Sequence, residues 1–220
     1  MDKGEELLAS WNPSSWMASC FAAFYQKHRQ EDVCYHVMTA GTEEILERCQ
    51  TGKDDIGFVY VLDEQMPSFQ YRLECAGLIF QELKRTKAYL YFGKDHPLTG
   101  KSGIGEIALD EVRLVQCYED EYTLGRRMTE ETDRLSPADR MKISVITNSD
   151  YVMNELLRKT DLGNVSGGYL SREKESRGYP GYSLYGEKEP ILFGCVSRQG
   201  ETLDGWAEHY LEFVRNRLQE

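Results

Sequence analysis

The stretch FGKDHPLTGKSGIGE, residues 92–106, carries Gly100-Lys101-Ser102 behind another glycine, Gly93. A phosphate-cradling loop needs GxxxxGK(S/T) ahead of a helix, because four intervening residues let consecutive backbone N–H groups curl round the phosphates. Here six residues separate Gly93 from Gly100, and one of them, Pro97, has no N–H to donate. Gly103-Ile104-Gly105 is a poor helix start, so the segment reads as a surface turn following a strand. Asp54-Asp55 would suit acid–base chemistry or a magnesium ion. They precede the apolar run IGFVYVL, however, and ligands of α/β sheets gather at the opposite, C-terminal strand ends. The pair is therefore expected as solvated caps, and Glu119-Asp120-Glu121 as a helix entry that suits the helix dipole. Six cysteines are scattered singly without a CxxC pair, and four histidines are equally dispersed. Reduced, mostly core thiols are expected, with no zinc site and no disulfide framework. No serine sits in a GxSxG elbow and no cysteine has a histidine at a recognisable spacing, so no catalytic residue, metal or cofactor is expected, and the chain does not read as an enzyme.

What remains are polar turns. Residues 10–15, 40–43 and 147–149 each place hydroxyls, and the N–H groups of a beginning helix, at the C-terminal end of a strand. Singly each is a good cap; three in one chain point to a cleft for a small carboxylate or similar anion.

The elements that hold these turns alternate, which makes the chain α/β with largely parallel sheets. Strands are expected over 5–10, 33–39, 56–62, 78–83, 88–92, 112–118, 142–147, 165–170 and 190–198. Helices are expected over 16–28, from a cap at Thr42 to Gly52, over 68–76, 121–135 and, capped by Asn148 and Ser149, to 159. A last helix, capped by Thr202, carries Leu203, Trp206, Ala207, Tyr210, Leu211, Phe213, Val214 and Leu218 on one face. Residues 171–182 are polar and glycine-rich and read as a loop. With 26 basic and 37 acidic residues the net charge is −11, so the chain by itself is repelled by phosphate backbones and by anionic membranes. It begins without the cationic and apolar regions of a leader, and no apolar run approaches the roughly 20 residues of a membrane helix, so a cytoplasmic protein is expected.

The order of motifs resembles a known family. LLASWNPSSWMASCFAAFYQKH gives strand, polar turn and helix; AGTEEILERCQTGKDDIGFVYV follows, with Gly41, Gly52 and Asp55 in matching places. LYFGKDHPL is similar to a segment ending in HPL that recurs in the family, and ILFGCVSRQGETLDGWAEHYLEFVRNRL to its terminal strand and capped helix. Together these resemble the effector-binding domain of LysR-type transcriptional regulators, over nearly the whole chain. DLGNVSGGYL departs from the pattern by lacking a proline, and the chain enters its first strand by Glu5 without a winged helix-turn-helix.

The resemblance implies a type 2 periplasmic-binding-protein-like fold. Lobe I would hold about 1–85 plus 195–220 and lobe II about 86–194, joined by two crossing strands, with an effector between them. Ser10, Trp11, Asn12, Ser14, Ser15 and Thr42 would line one side of the cleft, and Gln116, Tyr118, Thr147 and Asn148 the other. Trp11 would narrow the cleft or stack on a flat effector. A homodimer or tetramer is implied, with DNA reached only through a helix-turn-helix domain absent from this chain. The alternative is a solute-binding receptor of a transport system on the same fold, which would carry a signal peptide or a lipid-anchor cysteine.

Overall fold

The apolar alternation of the first strand stops at a polar turn, and that turn starts a helix. In the computed structural model, which describes residues 5–93, 95–117, 140–167, 181–203 and 205–219, β1 (Glu5–Trp11) runs into Asn12-Pro13. Ser14 then accepts a hydrogen bond from Met17 N and caps α1 (Ser15–His28). The chain returns as β2 (Val33–Thr39), passes through α2 (Thr42–Gln50) and enters β3 (Ile56–Leu62). α3 (Met66–Ala76) ends at left-handed Gly77 and leads into β4 (Leu78–Thr86). β5 (Ala88–Phe92), β6 (Arg113–Cys117), β7 (Lys142–Thr147), α4 (Asp150–Lys159), β8 (Leu162–Gly167) and the short β9 (Gly181–Ser183) follow. β10 (Ile191–Arg198) and α5 (Gly205–Arg217) close the chain.

Two units result: Met1–Lys84 with Leu192–Glu220, and Arg85–Ile191. Each is built on one five-stranded sheet. The order is β2-β1-β3-β10-β4 in the first and β7-β6-β8-β5-β9 in the second. In the first, β1 lies parallel to both β2 and β3. In the second, β6 lies parallel to β7 and β8, while β5 runs antiparallel to β8 and β9. The second sheet is thus mixed rather than largely parallel, because hydrophobic runs do not encode strand direction.

An aromatic core fills the first unit between its sheet and α1 with α5. Phe24 lies 5.0 Å from Tyr210, Phe58 5.6 Å from Tyr210 and Phe21 5.9 Å from Tyr210, ring centre to ring centre. Burial pushes the Tyr210 phenol well above its usual range. The other face of the sheet meets α2 so closely that a Cβ on Gly57 would stand 2.3 Å from Ile45 Cγ2. In the second unit α4 packs Met153 and Leu157 against Val115 and Leu162.

Several local expectations shift. Thr42 is the first helical residue of α2 and Gly41 its cap, because the Thr42 hydroxyl is engaged by Asn12. Ser149, not Asn148, caps α4. α5 begins at Gly205, leaving Thr202 exposed ahead of it. Gly181 and Tyr182 belong to a strand rather than a loop. Asp54 is no solvated cap: it is 1% exposed, and both carboxylate oxygens accept from the Arg48 guanidinium at 2.7 and 2.9 Å. The expected helix over 121–135, the acidic run 119–121 and most of the expected loop at 171–182 lie outside the described residues.

Candidate functional site

In both sheets the strand order reverses beside the first parallel strand, and such reversals open a crevice at C-terminal strand ends. In the first unit the reversal falls between β1 and β3, whose pairing ends at Trp11 and Phe58. Asn12 sits there. Its backbone N–H donates to Phe58 O at 3.0 Å, its Oδ1 accepts from Tyr60 N at 2.8 Å, and its Nδ2 donates to Ala40 O at 3.2 Å. The Thr42 hydroxyl closes the set, accepting from Asn12 Nδ2 at 3.2 Å and donating to Oδ1 at 3.4 Å. Asn12 is 6% exposed and Thr42 fully buried. One amide therefore ties the ends of β1, β3 and the turn after β2, and its polar groups are used up in doing so.

The hydroxyls of this rim are Ser14 and Tyr60, whose oxygens lie 3.1 Å apart. Tyr60 is the half-buried residue of an otherwise buried β3, and its ring packs on Phe193 at 4.8 Å. α1 opens onto this rim through Ser14 and half-exposed Ser15. α2 opens there through Gly41, which supplies no side-chain cap, and an N-terminus without such a cap suits an anion. Glu43, in the first turn of α2, is held by Arg72 at 3.0 Å.

Two expected site residues lie elsewhere. Trp11 is 4% exposed and packs between Phe21 at 5.9 Å and Tyr210 at 6.4 Å, in the core under α1 and α5. Ser10 pairs with Gly57 on the face that α2 covers and is fully buried. Both follow from the two-residue period of a strand: neither of two consecutive residues of a covered strand reaches solvent. Ser10 Oγ and Trp11 Nε1 have no hydrogen-bond partner among the described residues.

The second unit repeats the device. β6 and β8 pair through Leu114 and Gly163 and then part. Gln116 Oε1 accepts from Val165 N at 2.9 Å and from Asn164 Nδ2 at 2.9 Å, and Asn164 Nδ2 also donates to Val115 O at 3.0 Å. Gln116 and Asn164 are both buried. Thr147 ends β7 and accepts from Ser149 N at 3.1 Å, and Asn148 is exposed beside it. Tyr118 lies outside the described residues.

Tyr60 and Asn164 were missed by sequence reasoning. The signal for Tyr60 was a lone phenol in the IGFVYVL run; for Asn164 there was none, since its role depends on a partner 48 residues away.

The HPL segment has a different task. His96 Nε2 donates to Asp161 O at 2.8 Å, its Nδ1 accepts from Leu98 N at 3.0 Å, and its ring stacks on Phe92 at 4.1 Å. These contacts require the neutral ring, and burial holds its pKa below the usual imidazole value. Gly93 lies where a Cβ would stand 1.9 Å from Leu157 O, so this glycine serves close packing against α4. Beyond it, Gly100 N donates to the Tyr182 hydroxyl, and Ser102 pairs with Glu106 in a three-residue 3-10 turn region rather than opening a long helix.

No protein-family model and no curated protein matches the sequence. Solved structures do match. The cofactor-binding domain of the Cbl transcriptional regulator is 17% identical, with a TM-score of 0.64 over 96% of this chain and 88% of that one. The C-terminal domain of a probable LysR family transcriptional regulator from Rhodococcus sp. RHA1 is 14% identical, with a TM-score of 0.59 over 96% and 99%. The effector binding domain of QuiR in complex with shikimate is 10% identical, with a TM-score of 0.59 over 98% and 97%. The chain thus has the two-lobed α/β fold of LysR-type effector-binding domains, of the type 2 periplasmic-binding-protein kind. Among the described residues no helix is long and apolar enough to cross a membrane.

Proposed function

We propose that this chain is the small-molecule-sensing domain of a LysR-type transcriptional regulator. It binds a small carboxylate or similar anion and passes a change of shape to a helix-turn-helix domain outside this chain. The observation that carries the reading is the rim at the β1/β3 reversal. There two helix N-termini open beside the Ser14 and Tyr60 hydroxyls, on strand ends held by Asn12. Ser14, Ser15, Tyr60 and the α2 N-terminus are the proposed contacts on the rim of the first unit, and Thr147 and Asn148 form the corresponding polar turn of the second unit taken by itself. Ser10 and Trp11 support the rim from below, and Asn12, Thr42 and Gln116 set its shape. The effector acts by binding one arrangement of the protein better than another, and shifts the population by that difference.

Self-association belongs to the same proposal. Tyr25 on α1 is 50% exposed, and Tyr151 and Val152 on α4 are 77% and 42% exposed. Apolar surface of this kind suits a homodimer of the chain. A sedimentation measurement giving only monomer at micromolar concentration counts against it.

The test of the sensing role is a thermal-shift screen of hydroxy-carboxylates, amino acids and aromatic acids; shikimate leads because QuiR's domain is in complex with it. A hundredfold excess over Kd stabilises by about 2.7 kcal/mol, a rise of roughly 5–10 °C for a chain of this size. Ser14→Ala and Tyr60→Phe should each weaken the hit, and Lys101→Ala should not. A hit that binds both rim variants as tightly as the parent refutes the site.

A further inference from the structure

β2 is an edge strand of the first sheet, and its alternation gives it two distinct faces. Tyr35 turns towards α1, with its ring 5.8 Å from Phe21, 6.2 Å from Phe24 and 5.8 Å from Tyr25. Cys34, His36 and Met38 occupy the other face, and all three are exposed. Cys34 Sγ and His36 Nε2 are 3.3 Å apart. We propose that Cys34, His36 and Met38 form a surface site for a soft monovalent metal ion of the Cu(I) type, independent of the effector reading.

The geometry suits one ion. With metal–sulfur and metal–nitrogen bonds of roughly 2.3 and 2.0 Å, a 3.3 Å separation closes at about 100°. That leaves the outer side open for a third donor. Met38 supplies it, two residues beyond His36 on the same face, at the same spacing of roughly 6.6 Å that separates Cys34 from His36. Thiolate and thioether sulfur select Cu(I), and imidazole accepts it as well. A tetrahedral divalent site is not built here: among the described residues no three or more His, Cys, Asp or Glu side chains converge. On binding, the ion takes the place of the hydrogen bond between Sγ and Nε2. The thiol proton leaves to solvent, the thiolate and the neutral imidazole each donate a lone pair, and no oxidation state changes.

Among the described residues the competing thiols are placed differently. Cys20, Cys49 and Cys195 are buried, and burial pushes the Cys49 and Cys195 thiols up to about 12 and about 11. Cys75 is exposed on α3, where it pairs with Tyr71, which makes Cys75→Ser the matched control.

The experiment titrates the reduced chain with Cu(I) under anaerobic conditions against a chromophoric chelator. Uptake of one ion per chain is expected. Cys34→Ser should abolish it, and His36→Ala and Met38→Leu should each weaken it by roughly tenfold or more. Cys75→Ser should keep the parent affinity. The three site residues are exposed, so the variants should unfold at the parent's temperature, which separates lost binding from lost fold. Parent-like affinity in His36→Ala or Met38→Leu, or an equal loss in Cys75→Ser, would overturn the proposal and leave adventitious thiol binding only.

Discussion

Replacing Asn12 by alanine removes the amide that holds the ends of β1, the β2–α2 turn and β3 together. The lost side chain takes away the bonds that Tyr60 N–H, Ala40 C=O and the Thr42 hydroxyl make to Asn12. Ala40 is 6% exposed and Thr42 fully buried, so water replaces little of what is lost. At about 1 kcal/mol for each of the three groups that loses its bond to Asn12, the net worth of a typical hydrogen bond, the cost is about 3 kcal/mol. For a chain of this length that lowers the midpoint by roughly 6–12 °C. The assay can be confined to the affected unit, because all three tryptophans, Trp11, Trp16 and Trp206, belong to it. Their emission on heating follows the first unit, while far-ultraviolet dichroism follows both. Thr42→Val should cost less, since it strands only the Asn12 contacts, and the double variant should fall well short of the sum because the two side chains share their bonds. Strand ends that do not need Asn12 would show themselves as a loss below about 1 kcal/mol. That result, or strict additivity with Thr42→Val, refutes the claim that this amide shapes the rim.

Other substitutions should separate neighbouring positions by sign and by unit. Ser10→Ala deletes a buried hydroxyl that has no partner among the described residues and should raise the tryptophan-monitored midpoint, by about 1 kcal/mol in stability; a clear destabilisation would reveal a bond to that hydroxyl. Gly93→Ala drives a methyl into the Leu157 carbonyl and should destabilise the second unit by about 3 kcal/mol or more, seen by dichroism with the tryptophan transition spared; a neutral outcome would mean that α4 moves aside without cost. Stability should also depend on pH through His96. Its folded pKa lies below the ordinary value of 6.5, so below about pH 6.5 the unfolded chain takes up a proton that the folded chain resists. The His96 contribution is therefore present above pH 6.5 and declines as pH falls towards the folded pKa; His96→Gln should flatten that part of the urea-midpoint profile, and an unchanged slope would refute the neutral-ring assignment.

Much of the fold was legible because it rests on local pattern. The run of β3, the alternation of β2 and the polar turn ahead of α1 each carry their own signal over a few residues. β9 carries none: three residues become a strand only by pairing with Tyr89, Leu90 and Tyr91 of β5. Asp54 looked like surface because a sequence does not show that Arg48 folds back over it from α2. The candidate site divides in the same way. Its turns could be found from serines and threonines after apolar runs, but hydroxyl-rich turns do not reveal which side chains are already spent. Asn12, Thr42 and Gln116 look like ligand contacts until their partners on other strands are known. Trp11 invited a role at the cleft because it ends a strand, and the rings of Phe21 and Tyr210, 10 and 199 residues further along, claim it for the core.

The division of the chain into Met1–Lys84 with Leu192–Glu220 and an uninterrupted Arg85–Ile191 also sets an order of events during synthesis. The second unit has all its residues before the last strand of the first has left the ribosome. Until then the first sheet has a gap between β3 and β4, the place of β10, and its aromatic layer lacks Tyr210. Open strand edges and uncovered aromatic rings are what growing chains aggregate through. The half of this protein translated first is therefore the half completed last, and a ribosome that stalls late leaves a finished second unit tethered to an unfinished, sticky first one.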